Sequence, residues 1–191
     1  LKGDLGPSFK YRGQTVNGII AARFPVSLQL GLVAFAFALL VGVSVGIVAA
    51  LNQGKILDYL VMSFSTLGVA IPSFILGTLL MLVLSYNLGL LPPATWGTPL
   101  HIIMPAISLG ALPTAYIARL TRSSMLDVLS QDYMKTAKAK GLPRRRIVWV
   151  HAIKNAIIPV LTYSGPLLAG IITGTFVVEN IFAVPGLGKH F

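Results

Sequence analysis

The sequence predicts an all-α, polytopic transmembrane helix bundle, and three observations carry that prediction. Hydrophobic residues fill 55% of the 191 positions and charged residues only 10%, against roughly 25% charged residues in soluble domains. Mean hydropathy is +0.82. Long runs carry no charge at all. Most of the basic residues then collect in one segment, 119–154. A net charge of +10 on so apolar a scaffold does not describe a nucleic-acid-binding face, which needs a polar support behind it. With no cysteine, a disulfide framework and a Cys-based zinc site are both excluded.

The charge-free runs define the expected spans. Val26 to Leu51 gives 26 uncharged residues, enough to cross a hydrocarbon core of about 30 Å at 1.5 Å per residue. Tyr59 to Ala118 gives 60 more, too many for one crossing. The stretch "NLGLLPPATWGTP" (87–99) interrupts it, with Gly and paired Pro marking a turn and Trp96 suited to an interface. That run therefore reads as two spans, about 60–87 and 101–118. The last run supplies a fourth, about 156–178. A charge in mid-span costs about 2.5–3.5 kcal/mol on insertion scales, so empty runs of this length are informative.

Lys and Arg set the expected orientation. Nine of the fifteen basic residues lie in 119–154, and Lys55 in the 52–58 link joins them; Lys2, Lys10, Arg12, Arg23 and Lys189 fall on the other side. By the positive-inside rule the 119–155 loop is cytosolic. The N-terminal 24 residues, the 88–100 turn and the C-terminal tail then lie outside. The start shows no basic n-region followed by an h-region and cleavage site, so no signal peptide is read there. The opening without Met and the ending at "PGLGKHF" read as a piece of a longer protein.

Within the spans, Gly42 with Gly46 and Gly170 with Gly174 form two GxxxG pairs. Four-residue spacing puts both glycines on one helix face, where they serve close helix packing. Pro72, Pro105, Pro113, Pro159 and Pro166 remove backbone hydrogen bonds and permit kinks. Catalytic chemistry finds no residues. No Asp or Glu falls inside a span, and Glu179 sits at an outer end, so neither a proton relay nor a metal-binding acid cluster is present. His101 and His151 fall at opposite faces. The tail "GLGKH" has Ala183 and His190 where a Walker A loop needs Gly and Ser or Thr.

The basic segment "DYMKTAKAKGLPRRRIVWVHAIKN" (132–155) reads as a helical hairpin. Met125 to Lys140 are good helix formers, and Leu129, Tyr133, Ala137 and Gly141 recur on one face. Gly141 ends the helix and Pro143 prevents its continuation. "RRRIVWVHAIKN" begins a second helix that returns to the membrane. Two readings stand side by side: the small-residue stripe, including Ala137, inserts into a partner's groove, or the hairpin rests on anionic lipid.

The hairpin resembles the "EAA" coupling loop of ABC-transporter permease subunits. The whole chain is similar to the B-type permease of oligopeptide and dipeptide importers. The stretches that carry the resemblance are "GDLGPSFKYRG" (3–13), "IPSF" (71–74), "LPP" (91–93) and "IARLTRSSMLDVL" (117–129), followed by "TAKAKGLPRRRIVWVHAIKNAIIPVLTY" (136–163), "GPLLAGIITGTFVVE" (165–179) and "PGLGK" (185–189). They keep order and spacing along nearly the full length. Against the general EAA pattern, Lys135 stands in place of Glu, Thr136 in place of the first Ala, and Lys154 in place of the usual Pro; the peptide-importer subgroup shares these departures.

The resemblance implies a single permease domain over 1–191, with four of six spans present and a coupling loop at 119–155. Tyr133, Thr136, Ala137, Lys138, Gly141 and Leu142 would be its ATPase-docking residues. It also implies a second permease subunit, two ATP-binding subunits that hold ATP and Mg, an external substrate-binding protein and a peptide substrate. The location would be the bacterial inner membrane, multi-pass in the lipid bilayer, with no cofactor, metal or catalysis in this chain. Nickel, glutathione or an oligosaccharide would be alternative cargoes of the same architecture. A secondary transporter or channel without an ATPase would want intramembrane ionisable groups or a polar filter, which the sequence lacks.

Overall fold

In hydrocarbon every backbone polar group needs an internal partner, and helices supply one without neighbours. The computed structural model describes residues 4–11, 13–173 and 176–190, and these are helical nearly throughout. In order they are α1 (Val16–Leu51), α2 (Ile56–Ala70), α3 (Ser73–Leu80), α4 (Leu100–Ser130), α5 (Asp132–Ala139), α6 (Arg144–Arg146), α7 (Ile153–Ala156), α8 (Ile158–Ile172) and α9 (Phe176–Ile181). Wider π-helical turns extend α3 over Met81–Asn87 and join α6 to α7 over Ile147–Ala152. No strand occurs among the described residues; Pro7 and Thr15 make one antiparallel bridge.

Two helices, Val16–Leu51 and Leu100–Ser130, are long and apolar enough to cross a membrane alone. Ile56–Ala70 with Ser73–Asn87, and Arg144–Ala156 with Ile158–Ile172, reach that length and hydropathy only as bent pairs, each a broken span or a re-entrant loop. Proline explains both breaks. Ile71 precedes Pro72 and is extended, at φ −87° and ψ 117°, because the pyrrolidine ring disfavours helical geometry in the residue before it. Pro159 cannot donate to Asn155, and the axis bends by 45° at Ile157. α4 by contrast runs on through Pro105 and Pro113.

Helix ends depart from the charge-free runs. α1 begins ten residues before Val26 and includes Arg23 and Pro25; α4 continues to Ser130, so residues 119–130 are helix and not loop. Hydropathy reports what lipid tolerates, whereas a helix continues into polar sequence wherever its backbone bonds are made.

The chain divides into two units. One draws on residues 1–34, 72–109 and 168–191; the other on 35–71 and 110–167. In the first, Gly77 lets Phe182 and Ser108 come close, each about 3.0 Å from where a Cβ would stand. The Ser108 hydroxyl donates to the Ser73 carbonyl at 2.6 Å. Glu179, expected at an outer end, is fully buried at 0% exposure. Its Oε1 accepts from the Ser27 hydroxyl at 2.7 Å, and Ser27 Oγ in turn accepts from the Leu187 amide at 2.8 Å. Gly186 packs against the Glu179 carboxyl so tightly that any Cβ would overlap it.

In the second unit, α1 lies against α4 at the first glycine pair. A Cβ on Gly42 would stand 2.8 Å from Ile117 Cγ2, and one on Gly46 2.5 Å from the Ala118 carbonyl. In the first unit, Gly170 has nothing within 4 Å of where its Cβ would stand, so the close packing expected there is not made among the described residues. Its partner Gly174 lies outside the described residues.

Candidate functional site

The hairpin is built by three local rules. Gln131, at φ −67° and ψ 152°, breaks the path from α4 into α5, so Met125 to Lys140 form two helices and not one. Asp132 opens α5, where a carboxylate suits the positive end of the helix dipole. Its other end closes with two bonds: the Gly141 amide donates to Lys138 O at 3.0 Å and the Leu142 amide to Ala137 O at 3.3 Å. That is a Schellman closure, which places one residue in the left-handed region. Gly141 supplies it at φ +73°. Pro143 then caps α6 with an extended ψ of 142°.

The break at Gln131 resets the helical phase and divides the expected stripe. Leu129 belongs to α4. Ala137 is only 8% exposed and sits in an apolar cluster with Met125, Met134, Ile147, Val148, Ala152, Ala156 and Ala50. Leu142 packs on the same cluster. Ala137 therefore faces its own chain, and overfilling that site would disrupt the hairpin itself. The outward side of α5 carries Tyr133, Thr136 and Lys138, with Gly141 exposed at the turn. Lys135 pairs with Asp132 at 2.8 Å on the same surface, and the Tyr133 hydroxyl accepts from Asn155 Nδ2 at 3.1 Å.

Residues that the sequence did not single out hold the base of the hairpin. Arg122, on α4 two turns before its end, grips Asp58 in a two-pronged pair, Nε to Oδ1 at 2.5 Å and Nη2 to Oδ2 at 2.7 Å. Asp58 is buried, and the Gly54 amide also donates to it at 3.0 Å. The 52–58 link is thereby fastened to α4. A lone acid beside a charge-free run was the available signal, because a buried carboxylate requires a cation partner. Among the described residues, no group of His, Asp and Glu gathers as a metal site.

The arrangement is a helical hairpin: α5, its glycine closure and the return helix share one core, and the return helix is continuous up to the bend into α8. Comparison with known proteins decides the family, since residues 42–191 match the binding-protein-dependent transport system inner membrane component. The chain belongs to that family.

Among relatives of this inner membrane component family, the oligopeptide transport system permease protein OppB of Haemophilus influenzae is 51% identical, over 100% of this chain and 63% of its own length. The dipeptide transport system permease protein DppB of Bacillus subtilis is 50% identical over 98% of this chain and 61% of its own. OppB of Escherichia coli K12 is 47% identical over 99% and 62%. The chain thus spans somewhat under two thirds of the relatives it matches. A crystal structure of an amino acid ABC transporter with histidines shares the fold at TM-score 0.67 and 16% identity, over 91% of this chain and 76% of that one.

Proposed function

We propose that this chain is part of the permease of an ATP-driven, binding-protein-dependent importer and forms one side of the path for oligopeptides or dipeptides. The peptide cargo is supported by the relatives, named as oligopeptide and dipeptide permeases. The observation that carries the mechanism is the single apolar cluster shared by α5 and the return helix. A push on α5 is transmitted to residues 147–156 and hence to α8, because close-packed side chains do not yield.

ATP and Mg belong to two separate ATP-binding subunits, which dock on the outward face of α5 through Tyr133, Thr136, Lys138 and Gly141. Ala137 and Leu142 support that face from beneath. A second permease subunit and an external binding protein complete the assembly in the bacterial inner membrane, with the four helical spans crossing and residues 119–155 in the cytosol. Pro72, Pro159 and Gly-rich helices provide the bends of an alternating-access path.

The test uses a single Cys at Thr136 in the full-length protein, co-expressed with its ATP-binding subunits carrying single cysteines. A disulfide cross-link that changes with ATP supports docking at this face. An intact complex with no cross-link at Thr136, Lys138 or Tyr133 sinks it.

A further inference from the structure

The return helix carries a second outward surface. Along Arg144–Ala156, Ile147, Val148, Ala152 and Ala156 are buried in the hairpin core. Arg145, Arg146, Trp149, Val150 and Lys154 point away from it, with Trp149 63% and Val150 52% exposed. All five lie on the exposed surface of the return helix, Lys154 four residues beyond Val150 and the two arginines one turn before Trp149 and Val150. These cations are not neutralised: the ion pairs among the described residues are Arg122–Asp58 and Lys135–Asp132. No Asp or Glu occurs from Tyr133 to Val178.

An exposed indole and valine between three unpaired cations suit one environment, the boundary between anionic head groups and acyl chains. Trp is enriched at that level, and the cytosolic leaflet carries negative charge. Position agrees with composition. The stretch ends where the apolar α8 begins, and the 45° bend at Ile157 turns its axis away from that of the span, as a helix lying along a surface requires.

We propose that Arg145, Arg146, Trp149, Val150 and Lys154 form an interfacial patch that holds anionic phospholipid of the cytosolic leaflet, the three cations on head-group phosphates and Trp149 and Val150 inserted among the upper acyl carbons. This rests on the membrane reading given above, but not on ATPase docking, which uses the other side of the hairpin.

The experiment places the full permease complex in nanodiscs containing brominated phosphatidylglycerol or brominated phosphatidylcholine. The Trp149 signal is the difference in fluorescence between the protein and its Trp149→Phe variant. Brominated phosphatidylglycerol should quench that signal more strongly at equal content. Arg145→Gln, Arg146→Gln and Lys154→Gln should weaken the apparent preference by about fivefold per charge removed, and the combined variant should quench equally with both lipids. Arg145→Lys with Arg146→Lys should retain the preference, which separates charge from folding. Equal quenching of the unaltered protein by the two lipids overturns the proposal. So does strong quenching by aqueous acrylamide, or lipid quenching seen only when the ATP-binding subunits are left out, which would assign the surface to protein. An ATP-sensitive cross-link at Thr136 alongside equal lipid quenching would discard the lipid patch and leave the docking reading standing; the converse result would do the reverse.

Discussion

Gly46 and Gly170 belong to the same four-residue motif and have opposite surroundings. At Gly46 the carbonyl of Ala118 and the side chain of Thr121 fill the space that a Cβ would need, while at Gly170 that space is empty. The motif marks where a backbone can approach, and only packing shows whether the approaching backbone belongs to the same chain. The hairpin repeats the contrast on a smaller scale: Ala137 is enclosed by its own chain, whereas Thr136 beside it is exposed. Inward positions should therefore register in stability, and outward ones in assembly.

The largest expected effect tests the inward side at its most polar point. Arg122→Gln leaves the Asp58 carboxylate buried without its cation, and removing one partner of such a pair costs about 3–5 kcal/mol. Thermal unfolding in detergent should show it, and Asp58→Asn combined with Arg122→Gln should recover part of the loss. Next comes Gly46→Leu, which drives a side chain into the Ala118 carbonyl; overpacking costs about 1–3 kcal/mol, read as a lower melting temperature or proteolysis near α1. An unchanged melting temperature would break the comparison at its centre.

Ala137→Trp falls in the same range of about 1–3 kcal/mol, and its signature is more specific. The hairpin should become protease-sensitive even when the chain is purified without ATP-binding subunits, whereas Thr136→Trp should leave stability alone and reduce co-purification of those subunits. The smallest effect is at Gly170→Ala. A methyl in open space on a helix should leave the isolated chain unharmed or stabilise it by about 1 kcal/mol, measured by the same melting assay. Failure to assemble with the second permease subunit, at full stability, would identify what comes close there.

Much of this was legible in the sequence because single residue types enforce it. Helical class follows from charge-free length, the α5 closure from Gly141 and Pro143, and the break after α2 from Pro72. The stripe on α5 was not legible, since one extended residue at Gln131 rotates everything after it and nothing in the residue type demanded that. Nor was the Asp58–Arg122 pair, whose members are 64 positions apart; sequence shows that each charge needs a partner and not which partner the fold delivers. The burial of Glu179 was not legible for a related reason. Its burial depends on Ser27 meeting it from 152 positions away and on Gly186 folding back over it from the following turn.

The 45° bend at Ile157 also works as a direction changer. A displacement along the axis of Arg144–Ala156 resolves at that angle into two equal components, one sliding α8 lengthwise and one carrying it sideways. A straight helix would convert the same stroke into sliding alone, and a right-angled one into sideways travel alone. If the hairpin drives α8 as proposed, the elbow that Pro159 imposes sets the gearing between them.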